Sequence, residues 1–135
     1  MIKEYLAAGD SGDAERLHEL LDADIVTHSP GGGLIAGIDD TLQTWASAHR
    51  RLGALRHQVI AELHSGDLAA VRVRASGIHD GPFLGIAATG KSVAVDQALF
   101  ARIAHGRIVE MWEIVDTGSG LRQLGMLPEG QPLGP

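Results

Sequence analysis

The feature that most constrains the fold of this chain is a change in its hydrophobic pattern near residue 57. Upstream, apolar residues recur at the spacing of amphipathic helices, which predicts helices over residues 2–8, 13–21 and 39–51. Asp10 or Ser11 is placed to cap the second helix. Downstream, apolar runs are separated by turn signals, which predicts strands over residues 58–64, 69–79, 92–103 and 107–115. Helices followed by a sheet indicate the α+β class.

The segments between these elements indicate how the sheet is built. Short turn signals join the predicted strands, so we expect a mostly antiparallel, meandering sheet. The longest strands require twist or bulges, and a strongly curved sheet with helices across its concave face encloses a pocket that suits a small ligand. The 135 residues fit one domain, which we place at residues 1–127, followed by a loose C-terminal tail at residues 128–135.

Composition excludes several classes of function. Seventeen acidic and eleven basic residues give a net charge of −6 without a run of lysine or arginine, so we expect no nucleic-acid partner. No stretch approaches the roughly 20 apolar residues of a membrane span, and the first residues lack the pattern of a signal peptide. We therefore expect a cytoplasmic protein with no membrane partner. The absence of cysteine excludes disulfides, thiolate nucleophiles and cysteine metal sites.

Motifs for cofactor-dependent chemistry are also missing from the sequence. The seven histidines include no His-x-x-x-His pair, so we expect no metal site. No serine occupies a Gly-x-Ser-x-Gly elbow, and residues 118–120 are interpreted as a turn. The glycines at residues 31–33 lack the spacing and the following lysine of a phosphate-binding loop, so we expect no nucleotide or other cofactor.

One predicted strand carries acidic residues through an otherwise apolar sequence, G-R-I-V-E-M-W-E-I-V-D at residues 106–116. Side chains alternate along a strand, which assigns Val109, Met111, Glu113 and Val115 to one face and Ile108, Glu110, Trp112, Ile114 and Asp116 to the other. Neither face is polar, so we expect both faces to be covered. A carboxylate between apolar neighbours loses hydration, which raises its pKa, and Glu113 is therefore a candidate general base. Alternatively, Glu113 lies near a sheet rim and reaches water.

Other polar residues could share a site with Glu113. If a turn at residues 104–106 pairs the last two strands, Gln97 and Glu113 can face one cavity; the alternative for Gln97 is a solvent-facing amide. His79 ends a strand, where it either lines the pocket or lies at the rim of the sheet. Asp116 begins the final loop, where it either lines the pocket or caps the structure that follows.

The order of elements and four motifs together resemble a known family. The motifs are H-D-G-P-F-L-G at residues 79–85, A-T-G-K at 88–91, the strand at 106–116 and L-R-Q-L-G at 121–125. With two short helices, a Ser-Pro loop and a tryptophan-bearing helix before them, they resemble the SnoaL-like polyketide cyclases of the nuclear-transport-factor-2-like superfamily, which includes ketosteroid isomerase. The resemblance covers nearly the whole chain. It implies a cone-shaped, strongly curved sheet with helices over its concave face, assembled as a homodimer or higher homo-oligomer.

The resemblance also implies a mechanism. Cyclases of this family close a polyketide ring by intramolecular aldol condensation without metal or cofactor, with an acidic residue of the last strand as the base. That position falls on Glu113, the family's glutamine on Gln97, and its loop position before proline on Ser29. There are two departures: Leu99 replaces a histidine, and Glu113 replaces an aspartate, which moves the carboxylate on the order of 1 Å. A displacement of that size can cost roughly 10²-fold in rate.

We therefore expect a cofactor-independent cyclase, isomerase or lyase that acts on a small, largely apolar carbonyl compound. The expected catalytic residues are Glu113, Gln97 and His79, and the expected substrate-binding residues are Ser29, His28, Trp45, Phe83, Leu99, Met111 and Asp116. Steroid isomerisation is disfavoured because Ser29 stands where the isomerases carry aspartate.

Three alternatives remain open at this point. The first is a non-catalytic binding or dimerisation module, which Leu99 favours, and the second is a cofactor-free relative with hydroxylase-like oxygen chemistry. The third is an epoxide hydrolase in which Arg72 or Arg74 acts with Glu113 or Asp96 around one water, although the strand spacing favours solvated arginines.

Overall fold

The computed structural model describes residues 1–83 and 85–126, and these form four helices and one six-stranded sheet. The helices are α1 (Ile2–Ser11), α2 (Ala14–Leu20), α3 (Ile38–Arg51) and α4 (Thr117–Gln123). The strands are β1 (Leu21–His28), β2 (Leu34–Ala36), β3 (Leu52–Ser65), β4 (Leu68–His79), β5 (Ser92–Ala104) and β6 (Arg107–Val115). The α+β class is confirmed, whereas the expected tail at residues 128–135 lies outside the described residues.

The sheet is curved, unclosed and mixed. Its strand order is β2-β1-β6-β5-β4-β3, in which β1 runs parallel to β6 and the other neighbouring pairs are antiparallel. The predicted meander therefore corresponds to β3 through β6, and the N-terminal part of the chain adds β1 and β2 beside β6. None of the described helices is both long and apolar enough to cross a membrane.

The first helix is longer than predicted, which changes the role of Asp10. α1 continues through Ser11 and ends at Gly12, whose φ of 71° is the left-handed conformation that glycine adopts without strain. The side chain of Asp13 caps α2 by accepting a hydrogen bond from the backbone N–H of Arg16 at 3.0 Å. The predicted cap at Asp10 or Ser11 is therefore wrong, because both residues belong to α1.

The interpretation of residues 118–120 as a turn is also wrong, because they lie within α4. Asp116 caps this helix by accepting a hydrogen bond from the backbone N–H of Ser119 at 3.0 Å. An N-cap of this kind contributes about 1 kcal/mol, which offsets part of the cost of two glycines within the helix. Asp116 thus has the capping role that the sequence analysis considered for it.

The hydrophobic core lies between the first two helices and the concave face of the sheet. Its buried members include Ile2, Leu17, Ile25, Val73, Leu99 and Met111. Trp45 of α3 packs against this core without being fully buried. Space therefore remains between α3 and the sheet, and the candidate site occupies it.

The hairpin between β5 and β6 contains a β-bulge. Its turn consists of His105 and Gly106, both with positive φ, which is the tight connection that antiparallel strands favour. Beyond the turn, Ile103 pairs with Ile108 but Arg102 pairs with Glu110, so Val109 is an extra residue on β6.

This bulge decides which side chains of β6 face inward. Ile108 and Met111 are both fully buried although they are three positions apart, so the simple alternation that placed Ile108 beside Glu110 and Trp112 is wrong at that residue. Beyond the bulge the alternation resumes with Glu113 on the concave face. The opposite face is not covered as expected, because Ile114 is 59% exposed.

Candidate active site

A cavity of about 1000 Å³ lies between α3 and the concave face of the sheet. Its wall is largely apolar, and the polar or aromatic side chains that matter for chemistry come from five elements. They are Tyr5 of α1, Trp45 of α3, His57 of β3, Gln97 of β5 and Glu113 of β6.

Strand register places Gln97 and Glu113 in this cavity together. Leu99 pairs directly with Glu113, and Gln97 pairs with Val115, so these four residues share the concave face. Gln97 and Glu113 are therefore diagonal neighbours across two adjacent strands. The buried Leu99 stands beside the Glu113 carboxyl and removes water from one side of it.

Glu113 carries a carboxyl group in an unusual environment. It is only partly accessible, and it forms no hydrogen bond or salt bridge with another described residue. Burial raises the pKa of this carboxyl above its ordinary value, and the charge of nearby His57 lowers it by a smaller amount. The pKa of this carboxyl is thus closer to neutral pH than the pKa of a surface glutamate.

Tyr5 and Trp45 form a connected pair on the helical side of the cavity. The indole N–H of Trp45 donates a hydrogen bond of 3.0 Å to the Tyr5 hydroxyl, and the rings meet edge to face at 5.7 Å. Burial raises the pKa of the Tyr5 phenol above its ordinary value, and the charge of Glu113 raises it further. Because the hydroxyl accepts from Trp45 and stays protonated, its own hydrogen remains available for a ligand.

His57 faces the cavity from β3 and is held by Asp10. One carboxylate oxygen of Asp10 lies 2.6 Å from Nδ1 of His57, and the other accepts the backbone N–H of the same residue at 2.6 Å. The side chains are 9% exposed for His57 and 16% exposed for Asp10, so this pair is shielded from bulk water. The ring of His57 also meets Trp45 edge to face at 5.3 Å.

Three of the substrate-binding residues expected from the sequence line the cavity. Phe83 does so from the segment after β4, where the guanidinium of Arg51 lies 5.5 Å from its ring centre. Leu99 and Trp45 contribute to the apolar wall. The structure therefore brings Glu113, Gln97, Leu99, Trp45 and Phe83 to one cavity.

His79 and Ser29, which were expected to line the pocket, lie elsewhere. His79 is fully buried, and its Nδ1 lies 2.9 Å from the Thr89 hydroxyl and accepts the backbone N–H of Thr89 at 3.3 Å. The Ser29 hydroxyl donates to the carbonyl of Gly33 at 2.9 Å, closing its own loop. Neither residue lines the cavity, and both side chains form hydrogen bonds with residues within ten positions of them in the sequence.

His28, Met111 and Asp116 are also outside the cavity. His28 lies on the convex face, stacked on Trp112 at 5.2 Å with its Nε2 2.7 Å from a carboxylate oxygen of Glu110. Met111 is fully buried in the core, and Asp116 is committed to capping α4. Strand alternation explains why His28 faces outward, because β1 pairs it with Trp112, which lies on the outward side of β6.

The residues proposed for an epoxide hydrolase site do not meet. Arg72, Arg74 and Asp96 lie on the convex face, where Arg74 and Asp96 are 3.4 Å apart and roughly half exposed. Glu113 lies on the opposite face of the sheet. Within the described ranges, no three histidine, aspartate or glutamate side chains converge as a metal site.

Tyr5, Asp10 and His57 were missed by the sequence analysis. The predicted strand began at residue 58, whereas β3 begins at Leu52 and already has alternating faces at His57. The alternation of Leu55, His57 and Val59 with more polar residues was the signal that could have placed His57 inward. Its contact with Asp10 spans 47 residues, which no local pattern encodes.

Comparisons with known proteins place this geometry in a family. The model of the SnoaL-like polyketide cyclase family matches residues 1–124. A search of curated proteins found no significant match.

Several solved structures share the fold. IdmH from Streptomyces antibioticus, described as a candidate polyketide cyclase, is 32% identical with a TM-score of 0.83, over 92% of this chain and 95% of IdmH. TsrD from Streptomyces laurentii is 27% identical with a TM-score of 0.83, over 93% and 92% of the two chains. AclR from Streptomyces galilaeus, described as a candidate hydroxylase, is 24% identical with a TM-score of 0.82, over 98% and 82%.

These structures have the nuclear-transport-factor-2-like α+β architecture found here, a curved, unclosed sheet with helices over its concave face. The family match runs from the first residue into the C-terminal turn after α4, and so includes every strand and the whole cavity. The chain belongs to the SnoaL-like polyketide cyclase family.

Proposed function

We propose that this chain is a cofactor-independent acid/base enzyme that removes a proton next to a carbonyl group in a largely apolar, polyketide-like substrate. The outcome would be ring closure by aldol addition, or isomerisation. The observation that supports this proposal best is the unpaired Glu113 carboxyl inside an apolar cavity.

Glu113 has the properties of a general base for carbon acids. A base works best when its pKa lies near the operating pH, and burial shifts the pKa of Glu113 upward in that direction. Structural carboxylates in protein interiors are normally paired with cations or hydrogen-bond donors. Glu113 has no such partner among the described residues, which leaves its oxygens available to a substrate.

Hydrogen-bond donors near the base would stabilise the enolate oxygen. The Gln97 amide is the diagonal neighbour of Glu113 on the concave face, and the Tyr5 hydroxyl lies close enough for the charge of Glu113 to affect its pKa. Tyr5 is thus a donor that the sequence analysis did not identify, in a cavity that His79 and Ser29 do not line. Donors of this kind are typically worth about 3 kcal/mol each in acyl-transfer enzymes.

The cavity supports a substrate of polyketide size. Its volume of about 1000 Å³ lies at the upper end of the range for small-molecule sites, roughly 300–1000 Å³. Its wall is more apolar than polar, which suits an aromatic or polycyclic compound that carries isolated carbonyl oxygens.

The first experiment measures exchange of carbon-bound hydrogen for deuterium next to the carbonyl of 2-tetralone, a bicyclic ketone, by proton NMR in D2O. We expect the wild type to accelerate exchange and Glu113→Gln to reduce the acceleration by roughly 10²–10⁴-fold. The matched control is Glu110→Gln, which makes the same change on the outward face of the same strand, where Glu110 contacts His28. Exchange by Glu113→Gln at the wild-type rate would rule out Glu113 as the base.

A non-catalytic binding module is the second candidate, because Leu99 replaces the histidine of the related cyclases beside Glu113. Such a module would bind 2-tetralone in the cavity without accelerating exchange. Chemical-shift changes of Trp45 and His57 on titration with 2-tetralone would report that binding, since both rings line the cavity. Binding without exchange in the wild type would favour this second function.

A further inference from the structure

The contact between Asp10 and His57 fixes the hydrogen-bonding state of the imidazole. Asp10 lies in the last turn of α1, and both of its oxygens are used by His57, one by the backbone N–H and the other by Nδ1. An ionised carboxylate only accepts hydrogen bonds. Nδ1 of His57 therefore carries a hydrogen and donates it to Asp10.

This arrangement leaves Nε2 as the reactive nitrogen of His57. Nε2 forms no hydrogen bond with any of the described residues, and the ring lines the cavity. A carboxylate that orients an imidazole through Nδ1 and leaves Nε2 facing the substrate is the arrangement by which histidine transfers protons in many enzymes.

His57 and Glu113 line the same cavity. They approach it from β3 and β6, which lie at different positions across the curved sheet, and the charge of His57 affects the carboxyl of Glu113. Both line one cavity, so a bound carbonyl compound can meet a carboxylate at carbon and an imidazole at oxygen.

We propose that His57 is a second catalytic residue, whose Nε2–H protonates the carbonyl oxygen while Glu113 removes the proton from the neighbouring carbon. Asp10 is a positioning residue that fixes the imidazole. This inference rests on the proposed function of the cavity and adds the group that handles the proton on oxygen.

The proton transfers balance. In the first step the C–H bond breaks toward the Glu113 carboxylate, the electron pair forms the C=C bond, and the carbonyl oxygen takes the proton from the His57 imidazolium. The products are an enol, a neutral imidazole and a carboxylic acid. In an aldol addition the enol carbon then attacks the second carbonyl, its O–H proton returns to Nε2, and the Glu113 carboxylic acid protonates the new alkoxide. Both residues end in their starting states.

The first test compares 2-tetralone exchange in the wild type, His57→Gln and His64→Gln. His64 lies on the same strand and is 56% exposed, so it makes the matched control for the same substitution. We expect His57→Gln to lose roughly 10²-fold or more of the acceleration and His64→Gln to keep it. The pKa of Glu113 should also rise further in His57→Gln, because the charge that lowers it is removed.

A rescue experiment separates catalysis from folding. His57→Ala leaves space for a free imidazole inside the cavity, so added imidazole should restore exchange without raising the thermal midpoint. Exchange that His57→Ala keeps at the wild-type level without added imidazole, at a thermal midpoint close to that of the wild type, would show that the side chain is not needed as a proton carrier and would overturn the inference.

A second test addresses Asp10 through the tautomer of His57. In Asp10→Asn the amide oxygen can still accept the backbone N–H, but the amide N–H₂ then faces Nδ1, which must accept. We expect ¹⁵N NMR to show the neutral imidazole protonated at Nδ1 in the wild type and at Nε2 in Asp10→Asn, with reduced exchange in the variant. A neutral wild-type imidazole that carries its hydrogen on Nε2 and none on Nδ1 would contradict the inference directly.

The outcomes distinguish the two proposals. If the wild type does not accelerate exchange, the proposed function fails and the role of His57 fails with it. If Glu113→Gln loses exchange while His57→Gln keeps it within twofold of the wild type, the proposed function stands and the inference about His57 is wrong.

Discussion

The position of Glu113 makes its carboxyl a source of instability at neutral pH. Because burial raises the pKa of this group in the folded state, the folded protein favours the protonated form. The favourable contribution of the protonated carboxyl to stability is therefore fully present below the pKa that Glu113 has in the unfolded chain. This contribution is lost as the pH rises through the higher pKa that Glu113 has in the folded protein. Each pKa unit by which the folded and unfolded states differ corresponds to about 1.4 kcal/mol in the free energy of unfolding.

Replacing Glu113 by glutamine should therefore stabilise the protein in a pH-dependent manner. We expect the thermal midpoint of Glu113→Gln to equal or slightly exceed that of the wild type near pH 4, and the gain to grow toward pH 8. Differential scanning calorimetry across this range measures it, and Glu110→Gln should show no comparable gain because Glu110 is paired on the convex face. A variant less stable than the wild type at every pH would mean that the carboxylate has a favourable partner.

Leu99 offers a second prediction at the same scale, because it pairs directly with Glu113 and is 2% exposed. Leu99→His would place an imidazole beside the carboxyl, so we expect the pKa of Glu113 to fall and the protein to lose about 1–3 kcal/mol of stability through the buried polar ring. Side-chain ¹³C NMR of Glu113 reports the pKa. Leu99→Met, which conserves volume, should leave the pKa raised and cost less than about 1.5 kcal/mol.

The packing of α1 against α3 depends on a glycine. A Cβ atom at Gly9 would overlap the indole ring of Trp45, and the same indole donates to Tyr5 one turn earlier in α1. The missing side chain thus lets the tryptophan lie against the helix, where it supports the Tyr5 hydroxyl and one wall of the cavity.

We expect Gly9→Ala to destabilise the protein by about 1–3 kcal/mol. Alanine gains about 1 kcal/mol in helix propensity over glycine, but overlap with a rigid ring outweighs this gain. Tryptophan fluorescence and thermal melting measure both effects. Gly120→Ala in α4 is the control, because a Cβ atom at Gly120 would meet only a Val95 methyl group, at 3.4 Å. We expect this variant to be as stable as the wild type or more stable. Equal behaviour of the two variants would contradict the importance of the Gly9 contact.

The elements also show how far local patterns determine the fold. Periodicity predicted α1, α2 and α3 and the strands β3 to β6, because each carries a regular apolar face. It did not predict β2, which is three residues long, or α4, whose glycines resemble a turn. The parallel contact between β1 and β6 depends on packing between distant segments, so no local signal specifies it.

The candidate site was predictable only where strand register alone determines it. Gln97 and Glu113 face the cavity because β5 and β6 are adjacent, although the bulge at Val109 was needed to give them the same face. His57 required the true start of β3 and the long-range contact with Asp10. His79 was expected at the cavity, but it is fully buried outside the cavity lining and is hydrogen-bonded to Thr89, ten residues later.

On the scale of the whole molecule, the convex face of the sheet carries an apolar patch. This patch, which we call the outer patch, consists of Ala98, Phe100, Trp112 and Ile114. Phe100 pairs with Trp112, and Ala98 pairs with Ile114, across β5 and β6. Phe100 is 43% exposed and Ile114 is 59% exposed. Contiguous apolar surface of this kind on a folded protein commonly marks an interaction site.

The family resemblance of the sequence implies a homodimer or higher homo-oligomer, and we therefore propose that two copies of the chain associate through the outer patch. A two-fold interface uses the same surface on both partners, so one charge introduced there appears twice and is buried twice. Ile114→Glu should therefore convert an assembly of twice the 14.2 kDa chain mass into a monomer, as measured by sedimentation velocity at several concentrations. Met126→Glu, which adds the same charge at a 54% exposed position after α4, should leave the assembly intact. A wild type that sediments as a 14.2 kDa monomer at every concentration, or an Ile114→Glu variant that remains associated, would show that the outer patch does not join two copies.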